Sequence, residues 1–403
     1  MIERTIQMDY RHRVVFTHGL FAVDNPILRE ELADGVKKRS RILVFIDEGL
    51  LRKDEFLLDQ IESYAQAHAE SIDLVARPVV LPGGEVCKNE WRLVESVWDE
   101  INRQALCRHS YVVAVGGGAF LDMVGFAAAT AHRGVRLVRV PTTTLSQGDG
   151  GVGVKNGVNH FGKKNWVGTF CVPHVVINDF DFLSSLSERG RRDGIIEAVK
   201  VALIRDGEFY QRLESNREAL ASLQPAALEM AIVRSAELHV EHIVTGGDPF
   251  EYGSARPLDF GHWVAHKLEQ LSKFAVSHGE AVAIGMAVDL LYSVKVGILD
   301  QAIAERIIDL IEGLGFDLWS DFLEANNEQG EWLILRGIEE FREHLGGELT
   351  ITLVPAIGEK IEVHNMELDA VAEALSDLKK RASRHSTSCS GGQKKSPVTT
   401  EMV

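Results

Sequence analysis

Short apolar segments alternate with helical segments along the first half of the chain, and this alternation limits its fold most. Strands are predicted at Val14–Phe16, Ile42–Ile46, Leu74–Leu81, Val112–Val115, Leu137–Val140 and Val175–Ile177. Helical periodicity lies between them, as in Asp54–Ala69 and Glu90–Ala105. Strands that alternate with helices are typical of a parallel sheet covered by helices. We therefore predict an α/β domain over residues 1–185.

The second half of the chain changes character, because from about Ser187 onward it consists almost wholly of helix-forming residues. We predict a second, helical domain over residues 186–378. Near its end, a hairpin is predicted from Leu349–Val354 and Lys360–His364, followed by a last helix over Glu367–Leu378.

Composition and charge narrow the possible functions. A chain of 403 residues suits two domains of ordinary size. The formal net charge is −16, a field that repels polyanions, so neither nucleic acid nor an anionic membrane is expected as a partner. The four cysteines show no CxxC spacing, no secretory signal leads the chain, and no apolar run approaches the ~18 residues of a membrane span. We expect a cytoplasmic enzyme, with a disordered tail over the Ser-, Thr- and Lys-rich residues 379–403.

Three consecutive glycines, Gly116, Gly117 and Gly118, join a predicted strand to a helix that carries Asp122. Glycines at such a turn let backbone amides and a helix N-terminus approach a pyrophosphate without a clash from Cβ. The pattern is not the GxGxxG fingerprint, and a glycine-rich turn can also serve chain geometry alone. The residues by themselves leave both interpretations open.

The stretch 140–165 places hydroxyls, one carboxylate, three lysines and three asparagines between glycines. So many polar groups are costly to bury unless a polar ligand binds against them. A long solvated loop is the alternative. The interspersed Val152, Val154, Val158 and Trp166 would anchor the segment, which favours a ligand site, and its lysines would give the acidic chain a local positive charge.

Candidate metal ligands lie in the helical half. Glu197 and Lys200 are one turn apart on a single helix face. Further on, His262 and His266 have i,i+4 spacing, and His278 follows on a new segment. Two imidazoles and one carboxylate with an open fourth position are the ligand set of a catalytic zinc site. A surface histidine pair and a solvated Glu–Lys ion pair are the alternatives, and spacing alone does not decide.

Taken in order, these stretches resemble the dehydroquinate synthase superfamily of sugar phosphate cyclases, over about residues 40–358. The motifs that carry the resemblance are GGGAFLDMVGFAAATAHRG (116–134), VPTTTLSQGDGGVGVKNGVNHFGKKN (140–165), GIIEAVKVA (194–202), DFGHWVAH (259–266) and HGEAVAIGM (278–286). The resemblance implies an N-terminal Rossmann-like domain that binds NAD and a C-terminal helical domain that holds a divalent metal, Zn²⁺ or Co²⁺. It also implies a homodimer, with an active site in the cleft between the two domains.

Position by position, the resemblance implies roles for individual residues. Those implied for the metal are Glu197, His262 and His278. Those implied for NAD are Asp47, Glu85, Lys88, Gly116, Gly117, Gly118, Asp122, Thr142, Thr143, Asp149, Lys155 and Lys164. Asp149 and Lys200 match the polar groups around the carbon that is oxidised. Those that match the phosphate pocket are Lys155, Asn165, His266 and Arg133, the last from the other subunit.

The chemistry implied by the family begins when NAD⁺ oxidises a substrate hydroxyl to a ketone that the metal holds as a Lewis acid. Phosphate then leaves by β-elimination, the hydride returns, and the opened sugar closes by an intramolecular aldol step. Positioned Lys, His and metal charges would stabilise the enolate more than the starting sugar. Such an enzyme is a carbon–oxygen lyase acting on phosphates, with a recycled cofactor.

Departures from the dehydroquinate synthase pattern bear on the substrate. Those synthases hold a substrate carboxylate with Arg, Lys and Asn, and the aligned residues here are Ala255, His239 and Asp259. Because Asp259 would repel a carboxylate and accepts hydrogen bonds from hydroxyls, we expect a substrate that ends in CH₂OH, such as sedoheptulose 7-phosphate. The product would be a valiolone-type cyclitol.

Local sequence supports and complicates this assignment. The runs 256–262 and 342–347 are similar to those of valiolone-forming cyclases, above all 2-epi-5-epi-valiolone synthases. Leu145–Gln147, in contrast, keeps the dehydroquinate synthase form, and Asn156 is typical of neither branch. A divergent cyclase with another product is therefore also open.

Three other functions are compatible with parts of the sequence. A 3-dehydroquinate synthase with a rearranged clamp would use Arg256. An iron-containing polyol dehydrogenase would share the glycine-rich NAD half and the helical metal half, but the loop 155–165 argues against it. A non-catalytic binding protein is disfavoured, because the metal ligands and the lysines occur together.

Overall fold

The structure, a computed structural model, describes residues 1–33, 39–161, 163–247, 250, 258–344 and 347–389. Some sequence features lie outside these residues. They are Ala255, Arg256 and Pro257 near the predicted clamp, residues 345–346 of the second valiolone-type run, and residues 390–403 of the predicted tail.

The strands of the described chain are β1 (Val14–Thr17), β2 (Ser40–Asp47), β3 (Ile72–Leu74), β4 (Val79–Leu81), β5 (Tyr111–Gly116), β6 (Arg136–Pro141), β7 (Lys155–His160), β8 (Lys163–Phe170), β9 (Val175–Asp179), β10 (Ile351–Ala356) and β11 (Glu359–Val363). The helices are α1 (Ile27–Leu32), α2 (Glu48–Leu51), α3 (Leu57–Ala67), α4 (Trp91–Arg103), α5 (Gly118–Thr130), α6 (Glu188–Arg205), α7 (Gly207–Ser215), α8 (Arg217–Ala221), α9 (Pro225–Thr245), α10 (His262–Leu271), α11 (His278–Lys295), α12 (Gln301–Gly313), α13 (Arg336–His344) and α14 (Leu368–Cys389). None of the helices described here combines the length and the apolar character needed to cross a bilayer.

Seven of these strands form one parallel sheet in the order β1-β9-β6-β5-β2-β3, with β4 also paired to β2. Side chains alternate across it, since Val113 and Val115 enter the core on one face, and Val112 and Ala114 enter the core on the other. Both faces are therefore buried, as is usual for a parallel sheet covered by helices. The carboxyl ends of β2, β5 and β6 lie at one edge, which is where ligands bind in such sheets.

Two strand predictions are wrong. The single strand predicted over Leu74–Leu81 is two strands, β3 and β4, because Pro78 between them has no amide hydrogen to donate to a neighbouring strand. No strand was predicted between Val140 and Val175, where the structure has the antiparallel hairpin β7–β8. Its Asn- and Gly-rich sequence has low strand propensity, and the pairing depends on Gly157 and Gly168, whose facing backbones approach too closely for a Cβ.

The chain divides into two units whose limits differ from the predicted domains. The first comprises residues 1–198 and 222–253, and the second comprises residues 199–221 and 254–403. Helix α9 belongs to the first unit because it packs on the π-helical turn Ser146–Gly150, where a Cβ on Gly148 would lie 3.4 Å from Ser235 Cβ. The division into these units therefore falls within α6, after residue 198, and the predicted domain boundary at residue 185 stays a prediction.

Helix α11 forms the centre of the second unit, and its residues are buried along most of its length. It packs against α10 and α14, and Tyr292 on α11 accepts a hydrogen bond from the Glu367 amide (3.2 Å). The predicted hairpin is present as β10–β11. The last helix, α14, continues past the predicted end at Leu378 to Cys389, so residues 379–389 are helical and not a disordered tail.

Candidate active site

The triple glycine lies at the carboxyl edge of the sheet, as the sequence predicts. Gly116 ends β5, Gly117 precedes α5 and Gly118 begins it. A Cβ on Gly116 would lie 2.6 Å from Phe120 Cδ1, so only glycine allows this turn from strand to helix. Thr142, at the end of the neighbouring strand, donates its amide to the Gly116 carbonyl (3.0 Å), which joins two of the predicted cofactor positions.

Asp47 lies at the same edge, at the end of β2. Its carboxylate accepts hydrogen bonds from the Gly49 amide (2.8 Å) and from the Gly117 amide. A Cβ on Gly83 would lie 2.0 Å from this carboxylate, so the side chain is enclosed by backbone on two sides. Burial raises the pKa of Asp47, and the two amides oppose that shift. The carboxylate is thus fixed beside the glycine turn.

Lys88 connects residues that the sequence analysis assigned to different ligands. Its side chain is 4% exposed, and Nζ donates to Asp122 Oδ2 at 2.7 Å and also to Asn165 Oδ1. Asp122 is a predicted cofactor residue, and Asn165 is a predicted phosphate residue. Beside them, Lys164 Nζ lies 4.0 Å from Glu85 Oε1. The structure therefore places five predicted site residues in one hydrogen-bonded and ionic region of the first unit.

Asp149, in the π-helical turn, pairs with a residue outside the predicted cofactor set. Its Oδ1 lies 2.8 Å from Nδ1 of His239 on α9. The sequence analysis aligned His239 with a carboxylate clamp and did not connect it with Asp149. The two residues are far apart in the chain, so no local pattern could have shown the pair. Thr143, just before the turn, shares a 2.8 Å hydrogen bond between its hydroxyl and that of Ser146.

The segment after the turn is anchored by its valines, as predicted: Val152, Val154 and Val158 are at most 3% exposed. The prediction that Trp166 also anchors it is wrong, because Trp166 is 55% exposed on β8. Its indole packs against the rim of Phe161 instead. The alternative of a solvated loop is therefore contradicted for the valine-bearing part.

The side chains of Lys155 and Arg133 are both exposed in this structure. Lys155 begins β7, and its carbonyl accepts a hydrogen bond from buried Arg139 (2.6 Å). Arg133 lies in the short 3₁₀ turn after α5, with a left-handed φ of 61°. Its assignment to the phosphate pocket of another subunit stays a prediction.

All three predicted metal ligands converge. One ligand atom from each of Glu197, His262 and His278 lies within 4.8 Å of the others. Glu197 on α6 is 3% exposed and His262 at the start of α10 is 7% exposed, so the alternative of a solvated surface cluster is wrong. Two imidazoles and a carboxylate at such distances match the donor set of Zn²⁺ or Co²⁺.

An oxygen atom lies behind Nδ1 of each histidine. Nδ1 of His262 lies 3.0 Å from the Phe260 carbonyl, and Nδ1 of His278 lies 3.5 Å from Oε2 of buried Glu269. A proton on each Nδ1 places the lone pair on Nε2, which is the usual arrangement for metal-binding histidines. Glu269 was not predicted from the sequence. Its signal was the seven-residue spacing from His262, which puts both on one face of α10.

The other predicted residues of the helical half lie near these ligands along the chain. Burial and, after it, the neighbouring charge of His262 lower the pKa of His266 to about 3, so His266 is neutral at neutral pH. Lys200 is 3% exposed on α6, one turn after Glu197. The Asp259 carbonyl accepts a hydrogen bond from the His262 amide (3.0 Å). That His266 and Asp259 act together with Lys155 and Asn165 stays a prediction.

Two protein-family models match consecutive parts of this chain. The model for the N-terminal part of 3-dehydroquinate synthase matches residues 78–193, and the model for its C-terminal part matches residues 194–333. The chain belongs to the 3-dehydroquinate synthase family. It is a sugar phosphate cyclase, an enzyme of the lyase class that eliminates phosphate. The alternatives of a polyol dehydrogenase and of a non-catalytic binding protein are thereby overturned.

Individual relatives cover most of the chain. It is 39% identical over 288 residues to the 3-dehydroquinate synthase of Pseudomonas putida (strain W619), which covers 68% of this chain and 78% of that protein. It is 33% identical over 338 residues to the enzyme of that name from Halorhodospira halophila (82% and 93%). Among solved structures, a 2-epi-5-epi-valiolone synthase from Streptomyces hygroscopicus subsp. jinggangensis, with NAD⁺ and Zn²⁺ bound, matches 94% of this chain and 100% of its own. The TM-score of that match is 0.81, at 27% identity.

Proposed function

We propose that this cyclase acts on a seven-carbon ketose phosphate that ends in CH₂OH, namely sedoheptulose 7-phosphate. Its product would be a valiolone-type cyclitol, 2-epi-5-epi-valiolone. The reaction would proceed by transient oxidation, β-elimination of phosphate, reduction and intramolecular aldol closure. The enzyme would use NAD and a divalent metal, Zn²⁺ or Co²⁺, and would act as a homodimer in the cytoplasm.

The His239–Asp149 pair carries the proposal. In a dehydroquinate synthase a cation is expected at position 239 to hold the substrate carboxylate. Here Nδ1 of the His239 imidazole lies 2.8 Å from Oδ1 of Asp149, a carboxylate of the protein itself. A substrate carboxylate would meet here a histidine that already contacts a protein carboxylate, in place of a lysine, and the other aligned position, Asp259, is itself acidic. Hydroxyl groups suffer no such repulsion and can donate a hydrogen bond to an aspartate.

Similarity to the solved valiolone synthase supports the same substrate class, because that structure matches 94% of this chain with a TM-score of 0.81. The proposed cofactors are those bound in that relative. The donor set of Glu197, His262 and His278 fits its zinc, and the fixed Asp47 carboxylate beside the glycine turn fits a nucleotide cofactor.

The residues of this chain would have separate tasks. When bound, NAD⁺ supplies a reversible hydride acceptor, and the metal supplies a Lewis acid. Glu269 would keep the proton of His278 on Nδ1, so that Nε2 faces the metal. Burial lowers the pKa of His266 to about 3, so its neutral ring offers one N–H donor and one acceptor nitrogen for hydrogen bonds.

The substrate phosphate would be bound by the charged and amide groups of the first unit. We assign Lys155, Asn165 and Arg133 to it, as the family pattern implies for them and for His266, and Lys164 adds a further positive charge. Lys88 supports this assignment, because its ammonium orients Asn165 through the Oδ1 atom and leaves the Asn165 amide nitrogen to donate.

The substrate is tested by phosphate release from two compounds. We expect the NAD- and metal-loaded enzyme to release phosphate from sedoheptulose 7-phosphate at a kcat/KM at least about tenfold above that for the carboxylate-bearing heptulosonate phosphate. A double variant, His239→Lys with Asp259→Asn, restores two of the three clamp residues and should move the preference toward the heptulosonate. The opposite preference in the natural chain would contradict the proposal.

A second candidate is 3-dehydroquinate synthase itself, favoured by the 39% identity to the Pseudomonas putida enzyme. Leu145–Gln147 has the form found in that enzyme class, but Gln147 is fully buried and donates to the Pro141 (3.1 Å) and Asp179 (2.8 Å) carbonyls. The side chain of Gln147 therefore stabilises the fold of this loop and does not contact the substrate. Rescue of a strain that lacks dehydroquinate synthase would favour this second candidate.

A further inference from the structure

A buried cation lies beneath the segment that leads to Lys155. Arg139, in the middle of β6, is fully buried. Its Nη1 donates to the carbonyls of Gly151 (3.1 Å) and Gly153 (2.8 Å). Its Nη2 donates to the Lys155 carbonyl (2.6 Å) and to Asn156 Oδ1 (2.7 Å). One guanidinium thus holds three alternate backbone carbonyls and the side chain that follows them.

This arrangement is costly for the fold. Burial lowers the pKa of Arg139, but a guanidinium stays charged inside proteins. Its four partners are neutral oxygens, which offset only part of the penalty for removing a cation from water. An apolar side chain of similar size would suit this core position better. We therefore attribute the presence of a buried cation here to its hydrogen bonds, since all four of them end in residues 151–156.

Asn156 is fitted into the core as closely as Arg139. It is 4% exposed, and its Oδ1 lies where helix α5 has Gly125: a Cβ there would be 1.9 Å from this oxygen. Successive side chains of a strand point to opposite faces. With Asn156 held inward, Lys155 must face outward, and it is exposed. A shift of one residue would bury the lysine and expose the asparagine.

We propose that Arg139 is a positioning residue of this cyclase. Together with Asn156 and Gly125 it sets the register of the Gly151–Asn156 segment and thereby presents Lys155 to the substrate phosphate. The part of the proposal that concerns phosphate rests on the proposed function. The part that concerns the register rests on the contacts alone.

The test compares Arg139→Met, which keeps the length of the side chain without its charge, with Arg136→Met on the same strand. Arg136 donates to the Tyr111 hydroxyl (2.8 Å) and is the matched control. In the full chain loaded with NAD⁺, hydrogen–deuterium exchange over residues 151–158 should be at least about tenfold faster in Arg139→Met, and unchanged in the control. KM for sedoheptulose 7-phosphate should rise more than kcat falls. Arg139→Lys should restore part of both, because one ammonium cannot bridge four acceptors.

Several results would overturn the proposal. Unchanged exchange over residues 151–158 in Arg139→Met is one, and equally fast exchange throughout β5 and β6 is another, because it would show a general loss of stability. If Arg139→Met does not fold, Asn156→Ala decides by the same readouts: local acceleration supports the register claim, and unchanged exchange contradicts it. If the natural chain releases no phosphate from the sugar, the proposed function fails, while exchange still decides the register claim.

Discussion

Single buried polar residues organise the candidate site, and each is held by several partners. Lys88 joins Asp122 and Asn165, and the Asp47 carboxylate accepts two backbone amides. Burying a polar group costs free energy unless its hydrogen bonds are made. When one partner is removed, the other stays buried without a hydrogen bond and destabilises the fold. Substitutions at this scale should therefore act on neighbouring groups as much as on the residue replaced.

The His239–Asp149 pair gives the first prediction. His239→Ala removes the 2.8 Å contact with Asp149 and should lower kcat about tenfold, the value of one charged hydrogen bond. His239→Asn keeps a nitrogen donor near the Nδ1 position and should recover most of that loss. Arg234→Ala on the same helix removes an ion pair with Glu237 (2.9 Å) and is the control. Equal activity of the His239→Ala and natural proteins would show that the pair does not position Asp149.

Asp289 gives a prediction about pH. It is fully buried on α11 and accepts hydrogen bonds from Trp263 Nε1 (2.8 Å) and the Gly261 amide (3.0 Å). Burial raises its pKa from 3.8 to about 7, although both bonds oppose that shift. Between these values the folded state binds more protons than the unfolded chain, so this residue makes the free energy of unfolding fall as pH rises.

Urea unfolding of the natural protein and of Asp289→Asn at several pH values across this window checks the sign. The natural protein should lose stability relative to the variant as pH rises, because asparagine carries no titrating proton. Parallel stability profiles for the two proteins would contradict the assignment.

At the scale of elements, the metal ligands depend on how closely two helices approach. Gly261, with a left-handed φ of 77°, immediately precedes His262 at the start of α10. A Cβ on Gly285 of α11 would lie only 2.0 Å from the Gly261 carbonyl oxygen. The direction in which α10 begins is therefore set by this glycine contact, and by the bonds of Asp289 to Gly261 and Trp263.

Gly285→Ala should separate the two helices. We expect a loss of about 1–3 kcal/mol in the free energy of unfolding, as for overpacked cores, together with weaker zinc binding. Gly190→Ala, in α6, is the control, since a Cβ there meets only ordinary contacts, the nearest at 3.5 Å. Thermal unfolding and zinc content per chain measure both effects. A Gly285→Ala protein that is as stable and as zinc-rich as the control would refute this account of the helix contact.

The sequence predicts elements well where local patterns decide them. The apolar strands β2, β5 and β6 and the glycine turn after β5 follow from alternation and from turn chemistry. The hairpin β7–β8 does not, because its order comes from long-range contacts of Asn156 with Arg139 and Gly125. The metal residues were predictable as a set, whereas Glu269 behind His278 required the packing of α10 with α11.

At the scale of the whole molecule, a chain of net charge −16 must bind an anionic sugar phosphate. Long-range repulsion is screened within about 8 Å at physiological ionic strength, so nearby cations dominate binding. Lys88, Lys155 and Lys164 all lie in the first unit, while His262 and His278 lie in the second. The lysines predicted to bind NAD and phosphate therefore belong to the first unit, which also holds the predicted metal ligand Glu197.

Metal removal tests this distribution of roles. Dialysis of the full chain against a chelator should abolish phosphate release but leave NAD⁺ affinity within about threefold, because the predicted nucleotide residues are in the first unit. Added Zn²⁺ or Co²⁺ should restore activity. His278→Ala should bind little metal and should not be restored, and full activity of that variant would refute the ligand assignment.

The most direct test of the proposed reaction is NMR identification of the product formed from sedoheptulose 7-phosphate by the enzyme with NAD⁺ and Zn²⁺ or Co²⁺, with NADH followed in the same sample. The account predicts a carbocyclic valiolone, one phosphate released per ring formed, and no accumulation of NADH, since the hydride returns to the substrate. An open-chain oxidised sugar with stoichiometric NADH, or unchanged sedoheptulose 7-phosphate beside rapid conversion of the heptulosonate phosphate, would contradict it.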